Sequence, residues 1–337
     1  MHALAICSTT GNWPQGCTDK TGENMFSVII PAYNAEHCIE RCINSILNQS
    51  FGEFEIIVVN DGSTDATLER LSKFSDKRIR VFTQENAGVS AARNKGIENA
   101  GEPYICFLDS DDEWFENHLS DLKEAISKFP DKLFFVTFNM AEMLDGSVVK
   151  QFDYNGSDEP FFVDDFLQYE FKNGIRKCFF TGTVCTHKTA FEKYGVFSVG
   201  SNISEDEDMW NRIMLFEGKV IVPKASVLRH RDYSNLTSKL PVGAPCIFNS
   251  RIAGYLADDR LSSAKKEELK RLYNIMELVS IRSYIVHGMK HKAAKMLKNI
   301  DRKYVPKKKY IETLAAFFIP SFMLKKYVLD KNRNYFK

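Results

Sequence analysis

The sequence predicts an α/β protein: a mostly parallel sheet with helices on both faces, followed by a helical C-terminal region. Three observations carry this. Between residues 26 and 129, short β-branched runs alternate with segments of helical period, in the order βαβαβαβα. The polar runs YNAE, NDGSTD and DSDDE each follow such a strand, at the carboxyl ends where open α/β sheets bind ligands. From about Ile247 the chain reads as helices rich in Lys and Leu. With 337 residues, 44% of them apolar and 12% aromatic, the chain can bury one large domain plus an accessory segment.

Phe26–Pro31 (FSVIIP) is an unbroken apolar run and reads as a buried strand. Glu36–Gln49 follows as a helix, with Ile39, Cys42, Ile43, Ile46 and Leu47 at helical spacing. Phe54–Asn60 is the second strand, and Asp65 is placed to cap the helix carrying Leu68 and Leu71. Ile79–Thr83, Gly88–Ala100, Tyr104–Asp109 and Glu116–Phe129 continue the alternation. Beyond it the pattern loosens. Strands are expected at Leu133–Met140 and Cys178–His187, with a turn at Asp145–Gly146 and a short helix to Tyr194. Asp206–Phe216 reads as a helix and Lys219–Pro223 as an edge strand. The division expected is a catalytic domain over 25–240, whose halves are 25–130 and 131–240, and a helical region over 241–337. The strong pattern starts at Met25, so residues 1–24 read as a disordered extension or as sequence upstream of the natural start.

The charges nearly cancel, with 45 Lys/Arg against 44 Asp/Glu, and give no global signature of nucleic-acid binding. They are unevenly placed: residues 302–337 hold ten Lys/Arg and two acids. Eight scattered cysteines with no CxxC pair point to reduced thiols and a cytosolic compartment. Cys38 and Cys42 share a helix face and are expected to pack. No run reaches the ~20 apolar residues that span a bilayer, and no signal peptide is visible.

Three clusters carry candidate chemistry. Leu108–Asp112 (LDSDD) sets Asp109, Asp111 and Asp112 directly after a strand. Crowded carboxylates favour a hard cation such as Mn²⁺ or Mg²⁺, which would neutralise a departing diphosphate; the alternative is that Asp111 or Asp112 caps the next helix. In Asn60–Asp65, Asp65 is the cap, and Asp61 has no structural assignment and could accept from a uracil N–H. In Ser204–Asp208 (SEDED), Ser204 and Glu207 fit a capping box, and one of the acids could be a general base. His230 and Arg231 either touch a diphosphate or form a solvated strand end. Gly88 and the helix start Ala91–Asn94 either let the backbone approach a nucleotide or simply pack.

Together these segments resemble the family 2 glycosyltransferases, the inverting group with the GT-A fold. The matching stretches are SVIIPAYN (27–34), SILNQ (45–49), IIVVNDGSTD (56–65), NAGVSAARNKG (86–96), LDSDD (108–112) and EDEDMWNR (205–212), over roughly residues 26–235. The resemblance implies that Pro31, Ala32 and Tyr33 line a nucleoside pocket and that Asp61 contacts the uracil. Gly88, Arg93 and Ser110 would belong to the nucleotide-sugar site. Asp109 would meet the ribose or metal, Asp111 would hold Mn²⁺ or Mg²⁺ through the donor diphosphate, and Asp206 would be the catalytic base beside Glu205. It further implies a UDP-sugar donor, a saccharide or lipid-linked acceptor, and a role in bacterial surface polysaccharide or lipid-linked oligosaccharide synthesis. Asn60 and Glu207 depart from the commoner Asp and aromatic residues. The QxxRW pattern of processive synthases is absent, so one sugar is transferred at a time.

A dinucleotide-dependent oxidoreductase would need GxGxxG in the first strand–helix turn, where PAYNAE stands. A P-loop is missing too, as is the Gly-rich basic loop of a sugar nucleotidyltransferase. The remaining rival is a non-catalytic nucleotide-sugar-binding protein of the same fold. The tail adds a last expectation. Its basic cluster Arg302–Lys309, apolar block Leu314–Leu324 and Lys325–Lys326 suit peripheral contact with the inner face of the cell membrane; the alternative is that its aromatics pack back on the catalytic domain.

Overall fold

The computed structural model describes residues 25–144, 147–151, 158–173, 180–200, 204–231 and 247–324; the side chains of 138–151 and of Arg231 lie outside that description. The N-terminal extension, the turn at Asp145–Gly146 and the tail beyond Leu324 therefore fall outside it.

The first half follows the expected alternation: β1 (Phe26–Ala32), α1 (Ile39–Leu47), β2 (Phe54–Asp61), α2 (Thr67–Leu71), β3 (Ile79–Gln84), α3 (Val89–Asn99) and β4 (Tyr104–Phe107). A two-residue strand β5 (Glu113–Trp114) precedes α4 (His118–Lys128). The second half comprises β6 (Phe134–Leu144), β7 (Ser147–Gln151), β8 (Phe161–Val163), α5 (Phe166–Asn173), β9 (Val184–His187), α6 (Thr189–Tyr194), α7 (Glu205–Glu217) and β10 (Lys219–Arg231). Among the described residues four helices follow: α8 (Ile247–Ala257), α9 (Ser263–Val286), α10 (Lys290–Leu297) and α11 (Lys307–Ala316).

The strands form one sheet in the order β3-β2-β1-β4-β9-β6-β10-β5, with β7 on β6 and β8 on β10. β3, β2, β1 and β4 are parallel neighbours, and β6 and β10 are also parallel. β9 inserts antiparallel between β4 and β6 and joins the two halves. Every residue of β1 and β2 is buried, because helices cover both faces and leave no solvent side. Alternate residues feed two cores. Ile29 and Ile57 face α3, α6, α7 and α8, while Val28, Ile30 and Val58 face α1 and α4. Gly96 lets α3 lie close on β1: a Cβ there would meet the Ile29 Cγ2 at 2.4 Å.

Two expectations in the second half are corrected. Lys219–Pro223 is not an edge strand but the start of a 13-residue strand with neighbours on both sides. The register shifts between Val222 and Ala225, so Pro223, which has no N–H to donate, falls in the irregularity and does not end the strand. Cys178–His187 is not one strand: residues 174–179 are outside the description, Thr181–Thr183 is a 3-10 turn, and only Val184–His187 pairs. The turn is fixed by the Trp114 indole N–H, which donates to the Gly182 carbonyl (2.9 Å).

The helical region straddles the body and the C-terminus. Phe248 and Ile252 of α8, with Leu269 and Leu272 of α9, belong to the main core. Leu278, Ile281 and Ile285 of α9 build a separate small core with Ala293, Ile300 and Val305. No described helix is long and apolar enough to cross a membrane.

Candidate active site

The carboxyl ends of β1 and β2 are held together by side chains. Asn34 accepts from the Thr64 N–H (2.9 Å) and its own N–H donates to the Ser63 hydroxyl (3.0 Å). Asp65 accepts from the backbone N–H of Thr67 and of Glu36, while Glu36 accepts from the Ala66 N–H. The N-cap position of α2 is Ala66 and not Asp65 as expected, but the Asp65 carboxylate meets the first N–H of the helix and ties it to the loop after β1. Asn34 has φ of +49°, a left-handed conformation that Asn tolerates better than most residues. Pro31 and Ala32 are buried beneath this seam, and Tyr33 stands 49% exposed above it.

Asp61 does have a structural assignment, contrary to expectation. It is 3% exposed and accepts from the Gln84 amide and from the N–H groups of Ala87 and Gly88, at 2.8, 2.9 and 2.8 Å. Its carboxylate fixes the loop leading into α3. Gly88 there has φ of +88°, and among the described residues nothing but its own chain neighbours lies within 4 Å of where its Cβ would be.

Arg93 is the buried link between the two halves. At 4% exposure, its guanidinium donates to Asp109 Oδ1 (2.8 Å) and Glu205 Oε1 (3.1 Å) and lies 5.3 Å from the Phe197 ring centroid. Burial alone would lower its pKa; the carboxylates of Asp109, Asp206 and Glu205 outweigh that and raise it. Both terminal nitrogens are committed, so Arg93 positions Asp109 and Glu205 and is not displayed to a nucleotide.

Asp109, Ser110 and Asp111 are half-buried after β4. Burial, then the Asp109 charge, pushes the Asp111 carboxyl up, with Arg229 and Arg41 opposing. Asp112 is 3% exposed and accepts from the His230 N–H (3.0 Å); burial, then Asp111 and Asp109, holds it well above the usual carboxylate range. Asp112 therefore serves β10, not the next helix. His230 is not a solvated strand end or a free diphosphate ligand: its ring pairs with Glu113. Arg231 closes β10 opposite Leu144, and its side chain lies outside the description. Cys42 is buried and its thiol meets the Asp109 carbonyl, while burial pushes the Cys38 thiol up to about 11, consistent with packing cysteines.

The acidic turn resolves residue by residue. Ser204 has φ of +56° and its side chain makes no cap hydrogen bond, so the expected capping box does not form; the Glu207 N–H donates to Asp206 Oδ1 instead (2.7 Å). Glu205 goes to Arg93. Asp208 is fully buried between Arg212 (3.2 Å) and Arg251 (3.1 Å). Asp206 accepts from the Thr181 hydroxyl (3.2 Å) and, among the described residues, has no ion-pair partner. The Trp210 indole donates to the same hydroxyl (3.4 Å), which fixes Thr181 from behind.

Sequence reasoning missed Thr181, Arg41, Arg229 and Arg251. Arg41 reaches the Asp111 carbonyl (2.7 Å) and Glu113 (3.1 Å), and Arg229 faces Asp111 and Asp112. Only Arg229, beside His230, carried any signal; the others converge from 70, 25 and 43 positions away in the chain.

Comparison with known proteins agrees with this architecture. The model for "Glycosyl transferase family 2" matches residues 27–195, half of the chain, and stops before Asp206. A glycosyltransferase of Streptococcus pneumoniae, GlyA, is 49% identical over 96 residues, covering 28% of this chain and 14% of that protein. The Escherichia coli UDP-Glc:alpha-D-GlcNAc-diphosphoundecaprenol beta-1,3-glucosyltransferase WfgD is 44% identical over 28% of this chain and 38% of its own length. A teichuronic acid biosynthesis glycosyltransferase of Bacillus subtilis, TuaG, named as putative, is 36% identical over 46% and 60%. The matches thus span less than two thirds of these relatives. Staphylococcus aureus TarS, solved with UDP-GlcNAc, shares the fold at a TM-score of 0.61 and 19% identity, over 87% of this chain and 80% of that one. The Pyrobaculum calidifontis mannosyltransferase PcManGT, solved with GDP-Man and Mn²⁺, does so at 0.52 and 15%, over 83% and 75%. With half of its length matched and its sheet and flanking helices arranged as in these transferases, the chain belongs to glycosyl transferase family 2 and has the GT-A fold.

Proposed function

We propose that the protein is an inverting glycosyltransferase that moves one sugar from a nucleotide-sugar, in particular a UDP-sugar, to an acceptor hydroxyl. The observation that carries this is the Arg93 bridge. One guanidinium holds Asp109, at the donor end, and Glu205, next to Asp206 on α7. The donor is assigned to the surface over the buried Pro31 and Ala32, formed by Tyr33 and the α3 N-terminus at Gly88, with Asp61 at its base and Asp109 and Ser110 beside the ribose and diphosphate. UDP as the nucleotide is supported by the relatives whose names carry UDP-sugars.

Asp111 and Asp109 fit Mn²⁺ or Mg²⁺. They are hard oxygen donors crowded with Asp112, and the raised Asp111 and Asp112 carboxyls are what a nearby dication would reverse. Among the described residues no three metal-ligating side chains converge, so the proposed ion rests on these two carboxylates and the donor diphosphate. When bound, such an ion supplies positive charge to the leaving diphosphate. Asp206 accepts the acceptor hydroxyl's proton as that oxygen bonds the anomeric carbon from the face opposite the diphosphate. The bond from that carbon to the diphosphate oxygen breaks, and configuration inverts. Thr181 holds Asp206 in place, and Arg93 prevents the Glu205 charge from competing for the same proton.

The acceptor class is a saccharide or lipid-linked saccharide, with hexosyl or N-acetylhexosaminyl transfer in bacterial surface polysaccharide synthesis at the cytoplasmic face of the membrane; the WfgD and TuaG names support it. A panel of nucleotide-sugars with Mn²⁺ or Mg²⁺, read as released nucleotide diphosphate and by the anomeric configuration of the product, tests the reading. A retained configuration would overturn the mechanism. Donor binding without turnover would leave the non-catalytic reading standing.

A further inference from the structure

The C-terminal helices carry a surface that the active site does not use. Ile311, Leu314, Phe318, Phe322 and Met323 are 53%, 39%, 88%, 74% and 52% exposed. Lone exposed apolar residues are ordinary, but these five fall within one short stretch, residues 311–323. Ile311 and Leu314 share a face of α11, and the Phe318 N–H continues the turn to the Ala315 carbonyl (3.0 Å).

The segment is fastened from its other side. Tyr310, Ala316, Phe317 and Leu324 pack on the small core of α9 and α10. The Lys290 ammonium donates to the carbonyls of Phe317 (2.7 Å) and Ile319 (2.8 Å), and the Ser321 hydroxyl donates to that of Ile285 (3.1 Å). The aromatics are therefore displayed on a fixed body.

The same stretch of chain is cationic. Residues 289–324 hold nine Lys/Arg and two acids, Asp301 and Glu312. Glu312 faces Arg282 at 3.6 Å, while Lys295, Lys298, Lys307, Lys308 and Lys309 are exposed and meet no carboxylate among the described residues. Between α10 and α11 lies a cavity of about 390 Å³ whose lining is amphiphilic, with Leu297, Ile300 and Phe318 beside Lys298 and Arg302.

We propose that this face docks on an anionic phospholipid bilayer, with Phe318, Phe322 and Met323 among the acyl chains and the lysines at the headgroups. The charge pattern selects this occupant. A second copy would bring two sets of unpaired lysines together, and a polyanion without apolar groups offers nothing to the exposed phenyl rings. Docking holds the catalytic body beside an acceptor carried on a lipid, so it extends the proposed function. Its test reads vesicle binding and stands or falls apart from sugar transfer.

The test is co-sedimentation of the full chain with vesicles of phosphatidylglycerol and phosphatidylcholine, or of phosphatidylcholine alone. The expected result is binding to the anionic vesicles that weakens about tenfold or more in about 0.5 M salt, where charges beyond ~4 Å are screened. F318E/F322E and K307Q/K308Q/K309Q should each weaken it by about tenfold or more, with unchanged melting midpoints as evidence of folding. No binding to anionic vesicles, or variants that bind as the native chain does, overturns the proposal. So does a dimer by sedimentation velocity that F318E/F322E dissociates while vesicle binding stays intact.

Discussion

Replacing Arg93 with methionine keeps most of the aliphatic volume and removes the charge that joins the two halves of the site. Two partly buried carboxylates then lose a partner. Removing one member of a buried ion pair costs about 3–5 kcal/mol, because the other charge is left without compensation. Asp109 is 33% exposed and regains water, so its share is discounted; Glu205, at 12%, regains little. The low end, about 3 kcal/mol, is the expected loss, or about 6–12 °C in melting midpoint at roughly 2–4 °C per kcal/mol. The loss depends on pH in a defined direction. Burial and the Asp206 charge already raise the Glu205 pKa above its ordinary 4.5, and Arg93 opposes them. Without Arg93 it rises further, so the folded state binds a proton that the unfolded state releases. The penalty is then absent below about pH 4.5 and grows as pH rises through the raised folded value. Guanidinium denaturation of native and R93M protein at pH 5 and pH 8 measures it, and the gap in midpoints should be wider at pH 8. An equal gap at both pH values, or none, would refute the role given to Arg93.

Asp206→Asn should lower transfer by about 10²–10⁴-fold while leaving the melting midpoint unchanged, whereas Asp208→Asn should destabilise, since it strips charge from a fully buried carboxylate between Arg212 and Arg251. Comparing nucleotide diphosphate release with thermal melts separates the two; the reverse pattern would move the base to Asp208. Asp111→Asn should lower turnover by several orders of magnitude and weaken Mn²⁺ binding by titration calorimetry, chelation by EDTA should mimic the loss of turnover, and full activity in EDTA would remove the metal assignment. Gly96→Ala should cost about 1–3 kcal/mol by overpacking, because the new Cβ would sit 2.4 Å from the Cγ2 of the fully buried Ile29. A variant as stable as the native chain would mean that α3 can lift off β1 freely.

By itself the sequence determined the alternation of strands and helices over residues 26–129, because fully buried strands must be unbroken apolar runs and one-sided helices must repeat at 3.6. It also placed the polar motifs at strand ends, and it set Asp65 beside the start of α2, one residue short of the cap position. The second half was less legible. The irregularity that lets β10 run on through Pro223, and the turn at Thr181–Thr183, exist because of the strands and the Trp114 indole they meet, and a local pattern carries neither. The same limit governs the site. Five consecutive residues, Ser204–Asp208, look alike as a capped acidic turn, and only packing gives Glu205 to Arg93, Asp208 to two arginines and Asp206 to a hydroxyl. Asp61, free on paper, is consumed by two backbone N–H groups and an amide from a loop more than 20 residues away. Which carboxylate is left without an ionic partner is decided by the distant groups that the fold brings to within 3.2 Å of the others, and those belong to the tertiary structure alone.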